Sequence, residues 1–359
     1  MTERSTRRAT MQDVARLADV SKATVSAVLN SSSDVRDHTR ERVMSAIALL
    51  NYRAQHAPPR RDSTERAPTL GLVIKEVDNP YYAEVILGAR EVAEQSGYTL
   101  IVASSEGEHD AERRAVHTLR ANGIDGFMLT PVLDETADLA HLFELKRRNI
   151  PLVLLERVRG LRASLVDVDN VRASRRAADH LIARGHVRLA HFAGPPYSMH
   201  SQERIEGVRL ASSAASQIVL TENDIVVAGA HLADGYHAAM SYFDGRPEDR
   251  ATGITCYNDL VAIGVCRALA DLGLRVPADV SVIGFDDIAL AEYASVPLTT
   301  VRMPKRQMGA LAASMLIQQI ESHTVLPPRA ETLESEIIER ASVARPNENR
   351  ASVRRAKRA

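Results

Sequence analysis

Apolar residues near the start of the chain recur three and four positions apart. Val14, Leu17 and Ala18 place a stripe on a short helix over 11–18. The pattern breaks at Asp19 and Val20, and Ser21 then offers the short hydroxyl of an N-cap for a second helix over 22–29. Val25, Val28 and Leu29 form its inner stripe, and a third helix from about Asp37 to Leu50 turns Val43, Ile47 and Leu50 inward. Residues 53–68 carry three prolines and no apolar stripe, which predicts a linker.

From Thr69 onward the rhythm changes. Short apolar runs at 70–74, 99–103, 126–129, 152–155, 189–192, 225–227, 253–256 and 281–285 alternate with longer amphipathic stretches. Strand–helix alternation predicts βα units around parallel sheets. About 275 residues exceed one comfortable core, so two lobes are expected, dividing near 160 with a crossover near Thr299. Residues 345–359 have no core-forming pattern and are expected to be disordered.

Composition narrows the function classes. A chain of 359 residues with 45% hydrophobic and 25% charged residues is ordinary globular material. No apolar run reaches the length of a membrane span, and the first twenty residues lack the apolar core of an export signal, so a cytoplasmic protein is expected. Cys256 and Cys266 alone build neither a disulfide framework nor a zinc site. The net charge of −1 hides an asymmetry. Residues 1–61 hold eleven basic against six acidic residues, and residues 345–359 hold six against one. An acidic body with basic ends suggests that an end meets a polyanion.

The helix, turn and helix over 11–29 suit the DNA major groove, where the second helix reads base edges from its N-terminal end. Those positions are Ser21, Lys22, Ala23, Thr24 and Ser26. Periodicity alone leaves a plain three-helix bundle equally open. An oxidoreductase reading fails because the turn after the first strand is Asp78-Asn79-Pro80, without the glycines that cradle a pyrophosphate. No G-x-S-x-G nucleophile elbow occurs either. An exported solute receptor would share the α/β body but not the N-terminal helices.

Asp13, Val14, Ala15, Ala18, Val20, Ser21, Thr24, Val25, Ser26, Val28, Leu29 and Asn30 stand in the order of the headpiece of the LacI/GalR regulators, as do Thr39, Arg40, Val43, Asn51 and Tyr52. The chain resembles that family over this whole stretch. The resemblance implies base contacts from Lys22, Ala23 and Ala27, and phosphate contacts from Ser21, Thr24, Ser26, Asn30 and Tyr52. Two departures bear on DNA. Many relatives have Arg where Ala27 stands, and Ala offers only apolar contact, for example to a thymine methyl. In the hinge, Pro58 and Pro59 disfavour a helix, and Arg61 stands where relatives insert a Leu wedge. The hinge therefore predicts less DNA kinking than in relatives and more electrostatic minor-groove contact, from Arg60 and Arg61.

The body is similar to the two-lobed, periplasmic-binding-protein-like sensor of the same family. The carrying motifs are Asp78-Asn79-Pro80-Tyr81-Tyr82, Asp169-Asn170, Arg184-Gly185-His186, Arg204, Asn258-Asp259, the run 275–287 and the run 297–301. The resemblance implies effector contacts from Tyr81, Tyr82, Glu156, Ser198, His200, Arg204, Asn258 and Asp286. Glu156 replaces an Asp common in relatives, and Gly229-Ala230-His231 lacks the aromatic wall of several sugar binders. Asp169-Asn170 reads better as a helix cap than as a ligand contact.

The expected layout is an all-α helix-turn-helix headpiece at 10–53, a hinge at 54–68, an α/β two-lobed sensing and dimerisation domain at 69–344, and a basic tail at 345–359. The implied function is a non-enzymatic repressor, a homodimer on a pseudo-palindromic operator, tuned by a small molecule, by analogy a sugar. Neither a cofactor nor a metal is implied. A repressor that ignores small molecules stays open.

Overall fold

The structure is a computed structural model that describes residues 10–29, 37–49, 67–133, 138–244, 250–322 and 324–346. The chain forms two compact units that divide between Arg66 and Ala67.

In the first unit α1 (Met11–Leu17), α2 (Lys22–Leu29) and α3 (Asp37–Leu49) enclose a small core. A capping box starts α1: Thr10 Oγ1 accepts from Asp13 N at 3.3 Å, and Thr10 N donates to Asp13 Oδ2 at 2.9 Å. The turn that follows holds Asp19 at φ +49°, a left-handed conformation that Asp tolerates better than bulky residues. Ser21 caps α2, accepting from Thr24 N at 3.0 Å. Arg42 on α3 donates to Ala18 O at 2.5 Å and to Asp19 O at 3.0 Å, tying the third helix to that turn. Val14, Ala15, Ala18, Val25, Val28, Val43 and Ala46 are buried together. Leu17 was expected among them but is 50% exposed. The buried stripe of α1 runs through Val14, Ala15 and Ala18, and Leu17 lies roughly 100° of helix rotation from its centre.

In the second unit the strands are β1 (Thr69–Ile74), β2 (Thr99–Ser104), β3 (Gly126–Leu129), β4 (Leu152–Leu154), β5 (Ser164–Val168), β6 (Leu189–Ala193), β7 (Ile225–Val227), β8 (Gly253–Cys256), β9 (Ser281–Asp286), β10 (Thr299–Arg302), β11 (Ala330–Leu333) and β12 (Glu336–Ile338). The helices are α4 (Tyr81–Gln95), α5 (His109–Ala121), α6 (Ala140–Arg147), α7 (Asn170–Ala183), α8 (Met199–Ser213), α9 (Leu232–Phe243), α10 (Asp259–Asp271), α11 (Ala289–Tyr293) and α12 (Lys305–Glu321). Two sheets result, ordered β11-β5-β4-β3-β1-β2 and β12-β10-β9-β8-β6-β7. Every pairing is parallel except β12 against β10.

The central strands β1, β3, β6, β8 and β9 are buried along their whole length, as mainly apolar runs covered by helices on both faces demand. Edge strand β2 leaves Ile101 and Val102 partly exposed. Within each sheet the winding reverses between the first and third strands of the lobe, β1 against β3 and β6 against β8.

The division near 160 is corrected by β5, whose Leu165 and Val168 belong to the first sheet. The chain leaves that sheet only after Val168. It returns after Arg302, close to the crossover expected near Thr299, so that α12 packs on α4 beside the first sheet. A third crossing, between Leu333 and Glu336, adds one strand to each sheet. The short strands β5, β10, β11 and β12 carry too few apolar residues to stand out by pattern alone.

Candidate functional site

A cleft of about 400 Å³ lies between the carboxyl ends of the two sheets. Lys75 directly follows β1, Thr130 follows β3, Tyr257 follows β8, and Asp286 ends β9. These are the strand ends around each reversal of winding, where open parallel sheets part and leave a crevice. All eight residues implied by the resemblance line the cleft: Tyr81, Tyr82, Glu156, Ser198, His200, Arg204, Asn258 and Asp286. Their hydrogen bonds divide them into free and engaged groups.

Asp286 is free. Its backbone sits at φ +107°, a strained angle for any L-residue, followed by Asp287 at φ +54°. The buried ammonium of Lys305 holds this turn, donating to Asp286 O at 2.5 Å and Asp287 O at 2.9 Å. Arg302 and Arg340 each donate to the Asp287 carboxylate at 2.7 Å. The Asp286 carboxyl has no hydrogen-bond partner among the described residues, although it is only 6% exposed. Burial pushes its pKa up to about 6, against the pull of Arg204, Lys305 and His200.

Arg204 is buried and fixed in place. Nε donates to Asn170 Oδ1 at 3.0 Å, Nη1 donates to Tyr257 O, and the guanidinium lies 3.7 Å from the Phe285 ring centroid. It forms no ion pair with Asp286, so both keep polar capacity toward the cleft.

Glu156 is engaged. Lys75 Nζ donates to Oε2 at 2.6 Å and Ser198 Oγ donates to Oε1 at 2.8 Å. Burial works against its charge, but Lys75 and His200 hold it down at about 2. His200 bridges acids, with Nε2 3.1 Å from Asp167 Oδ1 and Nδ1 3.9 Å from Glu156 Oε2. Burial lowers the His200 pKa, yet Glu156 and Asp167 outweigh it and raise the pKa above the ordinary histidine value.

Ser198 and Asn258 double as helix N-caps. Ser198 Oγ accepts from Ser201 N on α8, and Asn258 Oδ1 accepts from Val261 N at 2.8 Å on α10. Asn258 Nδ2 donates to Ala230 O at 2.8 Å, which leaves one N–H. Asp169 caps α7, and its neighbour Asn170 supports Arg204, so neither lines the cleft. Tyr81 and Tyr82 meet edge to face at 5.2 Å; Tyr82 is part of the core, while the Tyr81 hydroxyl contacts Met308 S at 3.5 Å.

Sequence reasoning missed Lys75, Thr130 and Tyr257. Each is the first residue beyond a strand that the apolar pattern did find, and that position is the signal that would have found them. Tyr257 also brings an aromatic ring to the lining of a cleft that lacks one at Ala230, and Arg204 lies over that ring at 4.8 Å from its centroid.

The capping Ser21 and, on α2, Lys22 and Ala23 are exposed, and Thr24 and Ala27 are half-buried. Ser21 Oγ and Thr24 Oγ1 lie 2.8 Å apart, so one hydroxyl hydrogen joins them and the other remains for an outside acceptor. Ser26 lies within α2, but its side chain, together with Asn30, Tyr52, Arg60 and Arg61, falls outside the described residues.

Comparison with known proteins agrees with this geometry. Residues 10–55 match the model for bacterial regulatory proteins of the lacI family, and residues 178–343 match a periplasmic binding protein-like domain. The HTH-type transcriptional repressor PurR of Vibrio vulnificus is 35% identical over 87% of this chain and 92% of its own length. The transcriptional regulator CelR in complex with cellobiose superposes with a TM-score of 0.69 at 31% identity, covering 93% of this chain and all of CelR. The lac repressor dimer bound to operator and an anti-inducer gives 0.67 at 26% identity, covering 94% of this chain. The chain therefore belongs to the lacI family of bacterial regulatory proteins: it is a DNA-binding transcription regulator with a small-molecule sensor, and not an enzyme.

Proposed function

We propose that the chain is a cytoplasmic, homodimeric repressor that grips a pseudo-palindromic operator through α2 and releases it when a sugar binds between the lobes. Lys22, Ala23 and Ala27 read bases, and Ser21, Thr24, Ser26, Asn30 and Tyr52 hold phosphates, with Arg60 and Arg61 serving the minor groove. The relatives named above are repressors or regulators, and one is held with cellobiose.

The free Asp286 carboxylate beside the fixed Arg204 guanidinium carries the ligand class. An acceptor and a planar donor on a wall with aromatic faces suit the alternating hydroxyls and C–H faces of a sugar. Binding that favours one lobe angle alters how two headpieces are presented to successive half-sites. The coupling expected of such a device is about 1–3 kcal/mol.

The test is fluorescence anisotropy on a duplex selected by the full-length protein from genomic fragments, with and without a sugar panel. A loss of operator affinity of about 5–150-fold with one sugar is expected, and Asp286→Ala should abolish that response. No preference for any fragment over bulk competitor would sink the DNA reading; operator binding indifferent to every sugar would sink the effector reading.

A further inference from the structure

Lys75 and Glu156 form an ion pair on the cleft floor that neither strand pattern nor helix capping requires. Their side chains meet at 2.6 Å across the end of β3, because β3 lies between β1 and β4 in the sheet. Buried ion pairs stabilise folds weakly, since desolvation offsets their attraction. A charged pair placed in a ligand cleft therefore points to recognition.

The pair retains capacity on both sides. An ammonium has three N–H donors, and among the described residues Lys75 uses one, on Glu156. Each carboxylate oxygen accepts two bonds, and each Glu156 oxygen has one donor within hydrogen-bond distance, Lys75 or Ser198. A second observation marks the same floor. Thr130, at the end of the intervening β3, lines the cleft with its Oγ1 buried and without a hydrogen-bond partner among the described residues.

We propose that Lys75 and Glu156 act as one specificity subsite that takes a vicinal diol of an uncharged effector, with Lys75 donating to one oxygen and Glu156 accepting from its neighbour. This rests on the sugar reading above and narrows it. Lys75 and Glu156 carry opposite charges, with His200 Nδ1 lying 3.9 Å from Glu156 Oε2, and a neutral diol adds no charge to this set. An ammonium in place of the oxygen that Lys75 donates to, or a carboxylate in place of the hydroxyl that Glu156 accepts from, would set like charges together in a site with little solvent to screen the repulsion. Asp286 and Arg204 then meet the far end of the same molecule from the other lobe.

The test measures calorimetric Kd values of wild type, Lys75→Met, Glu156→Gln and the double variant. The probes are neutral mono- and disaccharides, the deoxy analogue of any that binds, and the matching amino sugar and sugar acid. Circular dichroism and melting establish that each variant folds, and the double variant keeps the cleft neutral if either single one does not. Wild type should prefer the neutral sugar over its deoxy, amino and acid analogues by about tenfold or more. The double variant should lose most of that preference, and the two substitutions should be non-additive. Unchanged discrimination in the double variant overturns the subsite while leaving the sugar reading standing. Tighter binding of the charged analogue by wild type overturns the subsite too. Failure of wild type to bind any sugar removes the reading on which it rests, and the subsite with it.

Discussion

At φ +107°, Asp286 occupies a backbone angle that costs about 1–3 kcal/mol and persists only because Lys305, Arg302 and Arg340 hold the turn. The strain delivers an unpartnered carboxylate to the cleft, and its pKa of about 6 makes binding titratable. The folded state favours the proton on this group, so its contribution to stability is greatest at low pH and is lost as pH rises through about 6. Ligand binding has the opposite sign. Hydroxyls that donate to Asp286 prefer the ionised form, so effector affinity should be full above about pH 6, fall below it, and be accompanied by proton release near that pH. Calorimetry in buffers of different ionisation heat measures the release; proton uptake or a flat profile refutes the assignment. On the DNA side, exposed Lys22 opens α2. Lys22→Ala should weaken operator binding by about 1–3 kcal/mol while sparing random DNA. Equal loss on both would reassign Lys22 to phosphate.

Helix pairs of the sensor touch backbone to backbone through glycine. A Cβ on Gly309 of α12 would lie 1.9 Å from Val85 O, and one on Gly88 of α4 the same distance from Arg306 O. The α9–α10 pair repeats the device with Gly235 against Val261 O and Gly264 against Leu232 O. No side chain can rotate away from such a clash, so the helices themselves must separate. Gly309→Ala should cost about 1–3 kcal/mol or more, read as a lowered melting temperature. A variant that melts with wild type would show that the two helices separate freely. The caps are a milder matter. Asp169→Ala removes the bond to Arg172 N and should cost about 1 kcal/mol in urea unfolding.

For the molecule as a whole, two properties follow from the proposed mechanism. A chain of 39.3 kDa should sediment at about twice that mass; a monomer that still grips operator with full affinity would contradict the two-half-site account. A sugar that binds only the folded sensor should add RT ln(1 + [L]/Kd) to the unfolding free energy, about 2.7 kcal/mol at a hundredfold excess over Kd, and so raise the melting temperature. Mixing the same sugar with the Asp286→Ala variant should give no shift.

Local chemistry determined what the sequence could reveal. The boundaries of α2 follow from Ser21 and from apolar spacing, and the central strands follow from runs such as 70–74 that are apolar throughout. The eight cleft residues were reached through motif resemblance, and they converge because strand ends converge. Tertiary structure alone decided the rest. Nothing local in Ser164–Val168 or Ala330–Leu333 says which sheet each joins, since short half-polar strands are placed by their neighbours and not by their own pattern. Lys75 and Glu156 stand 81 positions apart, and only the folding of β1, β3 and β4 side by side turns two distant charges into one neutral pair. Which polar groups are spent, as in Ser198 and Asn258, and which stay free, as in Asp286, depends on partners that only the three-dimensional structure supplies.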